Sequence, residues 1–158
     1  IAITRNPDAS IFLTNEDEWY KAAYYDAGTS LFFDNPTASD GYVTCRSPSN
    51  GGTANCGFSN GLSAVGSYAS SPSPYGTFDQ GGNVAEWIES STNRHTRGGH
   101  FQTSFTQLNS NSYSTASWNY EGRDIGFRVA NAIPEPSTAL LLSLGLVGLS
   151  ARRRSLRS

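Results

Sequence analysis

The sequence predicts an α+β, loop-rich domain of short strands and few helices, followed by a C-terminal hydrophobic helix. Three observations lead there. Only 15% of the 158 residues are charged while Gly, Ser, Asn and Thr abound, a composition that suits long polar loops better than a helical bundle. Three Trp, eight Tyr and eight Phe supply enough aromatic bulk for one core in a chain of single-domain length. From Ile133 the composition changes abruptly, and Ser137 to Ala151 carry no charge, so the chain divides into a body over 1–132 and a tail over 133–158.

The first element is a short helix within Leu13 to Asp26. Thr14 is placed to cap its first amides, and Glu16, Asp17 and Glu18 lie at its positive end. Trp19, Ala22 and Ala23 form one apolar face, and Gly28 ends it. Further along, alternation such as that of Ser67 to Ser73 supports no more than short strands. The chain opens at Ile1 without methionine or leader, which reads as a fragment or a processed form.

Cys45 and Cys56 flank a Gly-, Ser-, Asn- and Pro-rich loop. An even count in a loop-rich chain reads first as a disulfide; a redox pair or a thiol metal site is the alternative, although the spacing is neither CxxC nor a zinc pattern. The net charge of −2 hides an asymmetry. Arg152, Arg153, Arg154 and Arg157 lie in the tail, leaving seven basic against thirteen acidic residues in the first 151. Such a body offers no basic patch for phosphates, and nucleic acid is excluded as a partner.

Three blocks follow in fixed order: SPYGTFDQGGNVAEW (Ser73 to Trp87), RGGHF (Arg97 to Phe101) and DIGFRVA (Asp124 to Ala130). Together with LTNEDEWYKAAYYD (Leu13 to Asp26) they resemble the formylglycine-generating, sulfatase-modifying factor family, over most of Ile11 to Ala130. The resemblance implies a C-type-lectin-like layout with further strands ahead of the helix. Trp87 is then expected in the core, with Ala85 where the family has another tryptophan.

The resemblance also bears on chemistry. Aerobic formylglycine-generating enzymes carry two copper-binding cysteines shortly after RGG, and the corresponding positions here are Thr103 and Leu108. Neither is a soft copper ligand, so no copper and no formylglycine generation are expected, and no catalytic residue is assigned. Asp79 and Glu86 bracket a glycine turn, an arrangement that suits a hard cation. The matching family positions form a calcium site from the side chains of Asp79 and Glu86 and the main-chain oxygens of Gly82 and Val84. A tight turn with a capping Asp and a solvated Glu is the alternative. Asn55 matches one ligand of the family's second calcium site.

Other candidates are weaker. His95 and His100 fit no ligand or triad signature and are assigned to surface or packing roles. Ser104 lies near His100 without a nucleophile elbow. Arg97 and Arg128 read as framework arginines paired with carboxylates such as Asp124. Phe105 to Tyr120 have the Ser-, Asn- and Tyr-rich composition of binding loops, and also of ordinary ones.

The tail joins Pro134-Glu135-Pro136, an apolar stretch and Arg152-Arg153-Arg154. It resembles the PEP-CTERM sorting signal of Gram-negative bacteria, which implies export, an exosortase-type processing partner and delivery to the cell surface or matrix. As an anchor, its helix would hold the body outside the inner membrane with the arginines in the cytoplasm. The expected function is a non-catalytic, calcium-stabilised module binding exopolysaccharide or an envelope protein. The alternative is a divergent oxidoreductase of the formylglycine-generating or nonheme-iron type.

Overall fold

The computed structural model describes residues 5–57, 61–90, 94–117 and 119–132. The sorting-signal residues Pro134 to Pro136 and Arg152 to Arg154, with the apolar stretch between them, lie outside the described residues.

Among the described residues eight short strands and one α-helix alternate with long loops. Helix α1 spans Glu16–Tyr24. Its cap is Asn15 rather than Thr14: the Asn15 side chain accepts from the Glu18 amide at 2.9 Å, and the Glu18 carboxylate accepts from the Asn15 amide at 3.0 Å. This reciprocal box satisfies two of the amides a helix start leaves open. Thr14 is instead buried, and its carbonyl accepts from the Glu89 amide. The helix also stops short of Gly28, because Tyr25 turns extended and opens β2 (Tyr25–Asp26), which pairs with β3 (Leu31–Phe32). Gly28 belongs to the turn between them and donates to the Asp26 carboxylate.

The remaining strands build two sheets. Strand β1 (Ile11–Leu13) pairs antiparallel with β8 (Val129–Asn131). The larger sheet has the order β6 (Ser114–Thr115), β5 (His95–Arg97), β4 (Ala85–Trp87) and β7 (Ile125–Phe127), with β4 and β7 parallel. Short 3₁₀ turns cover Pro48–Asn50 and Phe105–Leu108. Residues 67–70 form turns and 71–73 are irregular, with no strand, and bonds such as the Ser71 amide to the Tyr68 carbonyl close the turns. Among the described residues no helix is long and apolar enough to cross a membrane.

Two apolar clusters form the core. One joins Trp19, Ala23, Tyr24 and Ile88; the other joins Val43, Ala54, Cys56 and Leu108. Ala22 and Trp87 are only half-buried, so Tyr24 and Ile88 take the places the pattern assigned to them. The Tyr24 hydroxyl, donating to the Leu108 carbonyl at 2.9 Å, ties one cluster to the other. Burial pushes the Tyr24 phenol far above its ordinary value. A raised pKa in the fold means stability that is complete below the unfolded value of about 10 and declines as pH rises past it. Denaturant titration across that range should show the decline, and Tyr24→Phe should flatten it at a cost of about 1 kcal/mol for the lost bond.

Cys45 and Cys56 form a disulfide with Cα atoms 4.7 Å apart. Just beyond it, the Gly57 amide donates to the Thr103 carbonyl at 2.7 Å, which fastens the bridged loop to the segment after RGG. Replacing both cysteines with serine should cost about 2–3 kcal/mol through the loop entropy released to the unfolded chain. Calorimetry of the wild type with and without reductant should reproduce that difference.

Candidate functional site

Strand alternation sends neighbouring residues of β4 to opposite faces of the larger sheet. On one face Glu86 and Arg97 meet α1; on the other, Ala85, Thr96 and Ile125 line a cavity.

The helix face holds a buried charge cluster. Glu86, 5% exposed, accepts from the Trp19 indole at 2.6 Å and from Arg128 Nε and Nη2 at 3.1 and 2.9 Å. Arg128 is the single residue between β7 and β8, and it also donates to the Phe78 carbonyl. Arg97 pairs with Glu16 and donates to the carbonyls of Ser110 and Ser112. Both arginines are therefore framework groups, but neither pairs with Asp124 as expected: the pairing of β5 and of β7 with β4 carries them to the Glu86 side, and Asp124 precedes β7 on the cavity side.

The expected calcium ligands share one turn, but their side chains are used otherwise. Asp79 adopts a left-handed backbone at φ 57° and its carboxylate accepts from the Gly66 amide. Glu86 is neutralised by Arg128, whose positive charge beside it opposes a dication. No group of three or more His, Cys, Asp and Glu side chains suited to a metal gathers among the described residues. A calcium ion on Asp79, Gly82, Val84 and Glu86 would have to compete with the Gly66 amide for Asp79 and with Arg128 for Glu86. What fixes the turn is close backbone approach: at Gly82 (φ 79°) a Cβ would lie 2.3 Å from the Asn55 carbonyl oxygen. Asn55 is likewise structural, its side-chain amide donating to Asn83 Oδ1 at 3.1 Å and to the Gly61 carbonyl.

The cavity on the opposite face has a volume of about 340 Å³ and is walled by Gly98, Gly99, His100 and Thr103 on one side and Tyr113 to Ser117 on the other. At its floor Asp124 accepts from the Tyr120 hydroxyl at 2.7 Å, while its second oxygen lies 3.7 Å from His100 Nε2. The Gln102 amide donates to His100 Nδ1 at 3.3 Å, which turns Nε2 toward Asp124. The hydrogen bond to Asp124 raises the Tyr120 phenol, keeping it protonated as a donor. His95 packs its ring on Tyr113. The chain can bend sharply at Gly98 (φ 86°), where a Cβ would meet the Gln80 carbonyl oxygen at 2.5 Å.

The positions corresponding to the copper-binding cysteines are accounted for. Thr103 Oγ1 donates to the His100 carbonyl at 2.8 Å and accepts from the His100 amide at 3.0 Å, so it locks a turn. Leu108 is wholly buried. Ser104 caps the 3₁₀ turn over Phe105–Leu108 and accepts from the Thr106 amide. The His100, Tyr120 and Asp124 grouping was not found by sequence reasoning; its signal is a histidine directly after RGG, with an aspartate two residues ahead of GFRVA.

The profile of the Sulfatase-modifying factor enzyme 1-like domain matches residues 9–133. The chain belongs to this family. The sulfatase-modifying-factor-like domain is followed by a PEP-CTERM protein-sorting motif over residues 132–154, which marks an exported protein and implies sorting by an exosortase-type enzyme. Solved structures share the fold. Treponema denticola variable protein 1 is 22% identical with a TM-score of 0.55, over 83% of this chain and 54% of that one. CarF is 23% identical with a TM-score of 0.60, over 82% and 51%. PvdO from Pseudomonas aeruginosa is 22% identical with a TM-score of 0.53, over 78% and 53%. The chain thus spans about half the length of these structures. No curated protein matches it.

Proposed function

We propose that the sulfatase-modifying-factor-like domain is a non-catalytic binding module that holds a saccharide unit of an extracellular polymer in the cavity floored by Asp124. The observation that carries this reading is the lining itself. Hydroxyls and amides from Tyr120, Ser114, Thr115, Ser117 and Gln107 surround one carboxylate and one imidazole, a set of donors and acceptors matched to sugar hydroxyls. Thr103, the one hydroxyl at a former thiol position in this cavity, is spent within its own turn, which removes it as a nucleophile. Export toward a polysaccharide-bearing surface puts the cavity where such a ligand is abundant.

Retention on the exopolysaccharide of the producing cell, and on a glycan array, tests the reading. Wild type should be retained and Tyr120→Phe should bind about tenfold more weakly, the loss of one well-made hydrogen bond of about 1.4 kcal/mol. Absence of retention on every glycan would overturn the proposal. So would oxygen-dependent oxidation of a thiol peptide that a copper or iron chelator abolishes.

A further inference from the structure

We infer that the Asp124 cavity is one of two subsites of a single groove for an extended glycan that carries no acidic groups. The inference rests on the saccharide reading above and adds the size and charge of the ligand. A second cavity, of about 440 Å³, is lined by Asp34, Asn35, Asp40, Tyr42, Phe105 and Asn109 among others. The two are separated by a wall one chain thick. Thr106 and Ser112 line the second cavity, while their immediate neighbours Gln107 and Tyr113 line the first, and adjacent Cα atoms are only about 3.8 Å apart. On this inference both cavities open along one surface, so that a ligand long enough to leave one over this ridge enters the other.

The second cavity is equipped for a sugar ring. Tyr42 is 89% exposed and meets Phe105 edge-on with ring centroids 5.8 Å apart. An aromatic ring left in water forgoes the burial that normally holds such rings inside, and a sugar's apolar face would restore it. Around the rings stand the carboxylates of Asp34 and Asp40, neither in an ion pair among the described residues. Asp40 also accepts from the Asp34 amide at 2.8 Å, which holds it at the cavity wall. With Asp124 in the first cavity, both subsites present negative charge. Uronic or sulfated sugars would be repelled, whereas neutral or amine-bearing ones find acceptors for their hydrogens.

Titration calorimetry with size-graded neutral β-linked glucose and N-acetylglucosamine oligosaccharides, from disaccharide to hexasaccharide, tests this, with oligogalacturonate as the acidic arm. The hexasaccharide should bind at least about tenfold tighter than the disaccharide, about 1.4 kcal/mol. Tyr42→Ala, at a position too exposed to threaten folding, should remove that gain, whereas Tyr120→Phe should weaken both lengths. Affinity independent of length, a gain that survives Tyr42→Ala, or tighter binding of oligogalacturonate would overturn the inference while leaving the saccharide reading intact. Failure of every oligosaccharide, the disaccharide included, would overturn the inference, and the glycan array then decides the saccharide reading.

Discussion

Replacing Glu86 by alanine is expected to destabilise the domain by about 3 kcal/mol, the lower part of the range for removing one partner of a buried ion pair. The lower part applies because the Arg128 side chain keeps 26% of its surface exposed and is partly solvated. Two groups lose their acceptor at once: the Arg128 guanidinium and the Trp19 indole N–H, whose ring is wholly buried. For a domain of this size the melting temperature should fall by on the order of 10 °C. Asp79→Ala, which removes only a carboxylate bond to the Gly66 amide, should cost about 1 kcal/mol. Thermal melts with and without calcium separate the two accounts of this turn. If Arg128 supplies the counter-charge, neither wild type nor Asp79→Ala shifts on adding calcium or a chelator, and calcium-dependent stabilisation abolished by both substitutions would refute that account.

Leu108→Ala should cost about 3 kcal/mol, as removal of a fully buried leucine commonly does through lost transfer energy and the cavity left behind. Leu108 packs with Val43, Ala54 and Cys56, and its carbonyl receives the Tyr24 hydroxyl, so collapse around the void is restricted from two sides. Urea denaturation measures the loss, and a value under about 1 kcal/mol would show that the site relaxes. A cysteine pair engineered at Thr103 and Leu108 should react unequally. The half-buried Thr103→Cys thiol should be modified in the native state and the sealed Leu108→Cys thiol only on unfolding, because burial disfavours the thiolate.

How much of this was legible depends on the range over which each feature is decided. The helix around Trp19 is written locally, yet its start was misplaced by one residue because Thr14 and Asn15 are both acceptable caps and only the reach of Glu18 chooses Asn15. Two cysteines flanking a polar loop announced their bridge. The fold was readable through the glycine-aromatic blocks, whose turns demand particular residues. The partnership of Glu86 was not, since it follows from a parallel pairing of β4 with β7 that joins residues about forty apart. A carboxylate seven residues from another suggests a cation site, and nothing near it in sequence announces the arginine that Glu86 also holds. His100, Tyr120 and Asp124 were hidden for the same reason: the first comes from the turn after β5 and the other two from the approach to β7.

The order in which the strands close has a consequence for biogenesis. Strand β7 completes the larger sheet and β8 reaches back to β1, so the last described strands join both sheets to far earlier parts of the chain. Strand β8 ends at Asn131, and the sorting motif begins at residue 132. A polypeptide emerging from its N-terminal end cannot shut this body until nearly everything ahead of the motif is out, and such non-local closure is slow. Folding and sorting therefore converge on one stretch of chain, and an enzyme engaging the motif works directly against the seam by which the body seals.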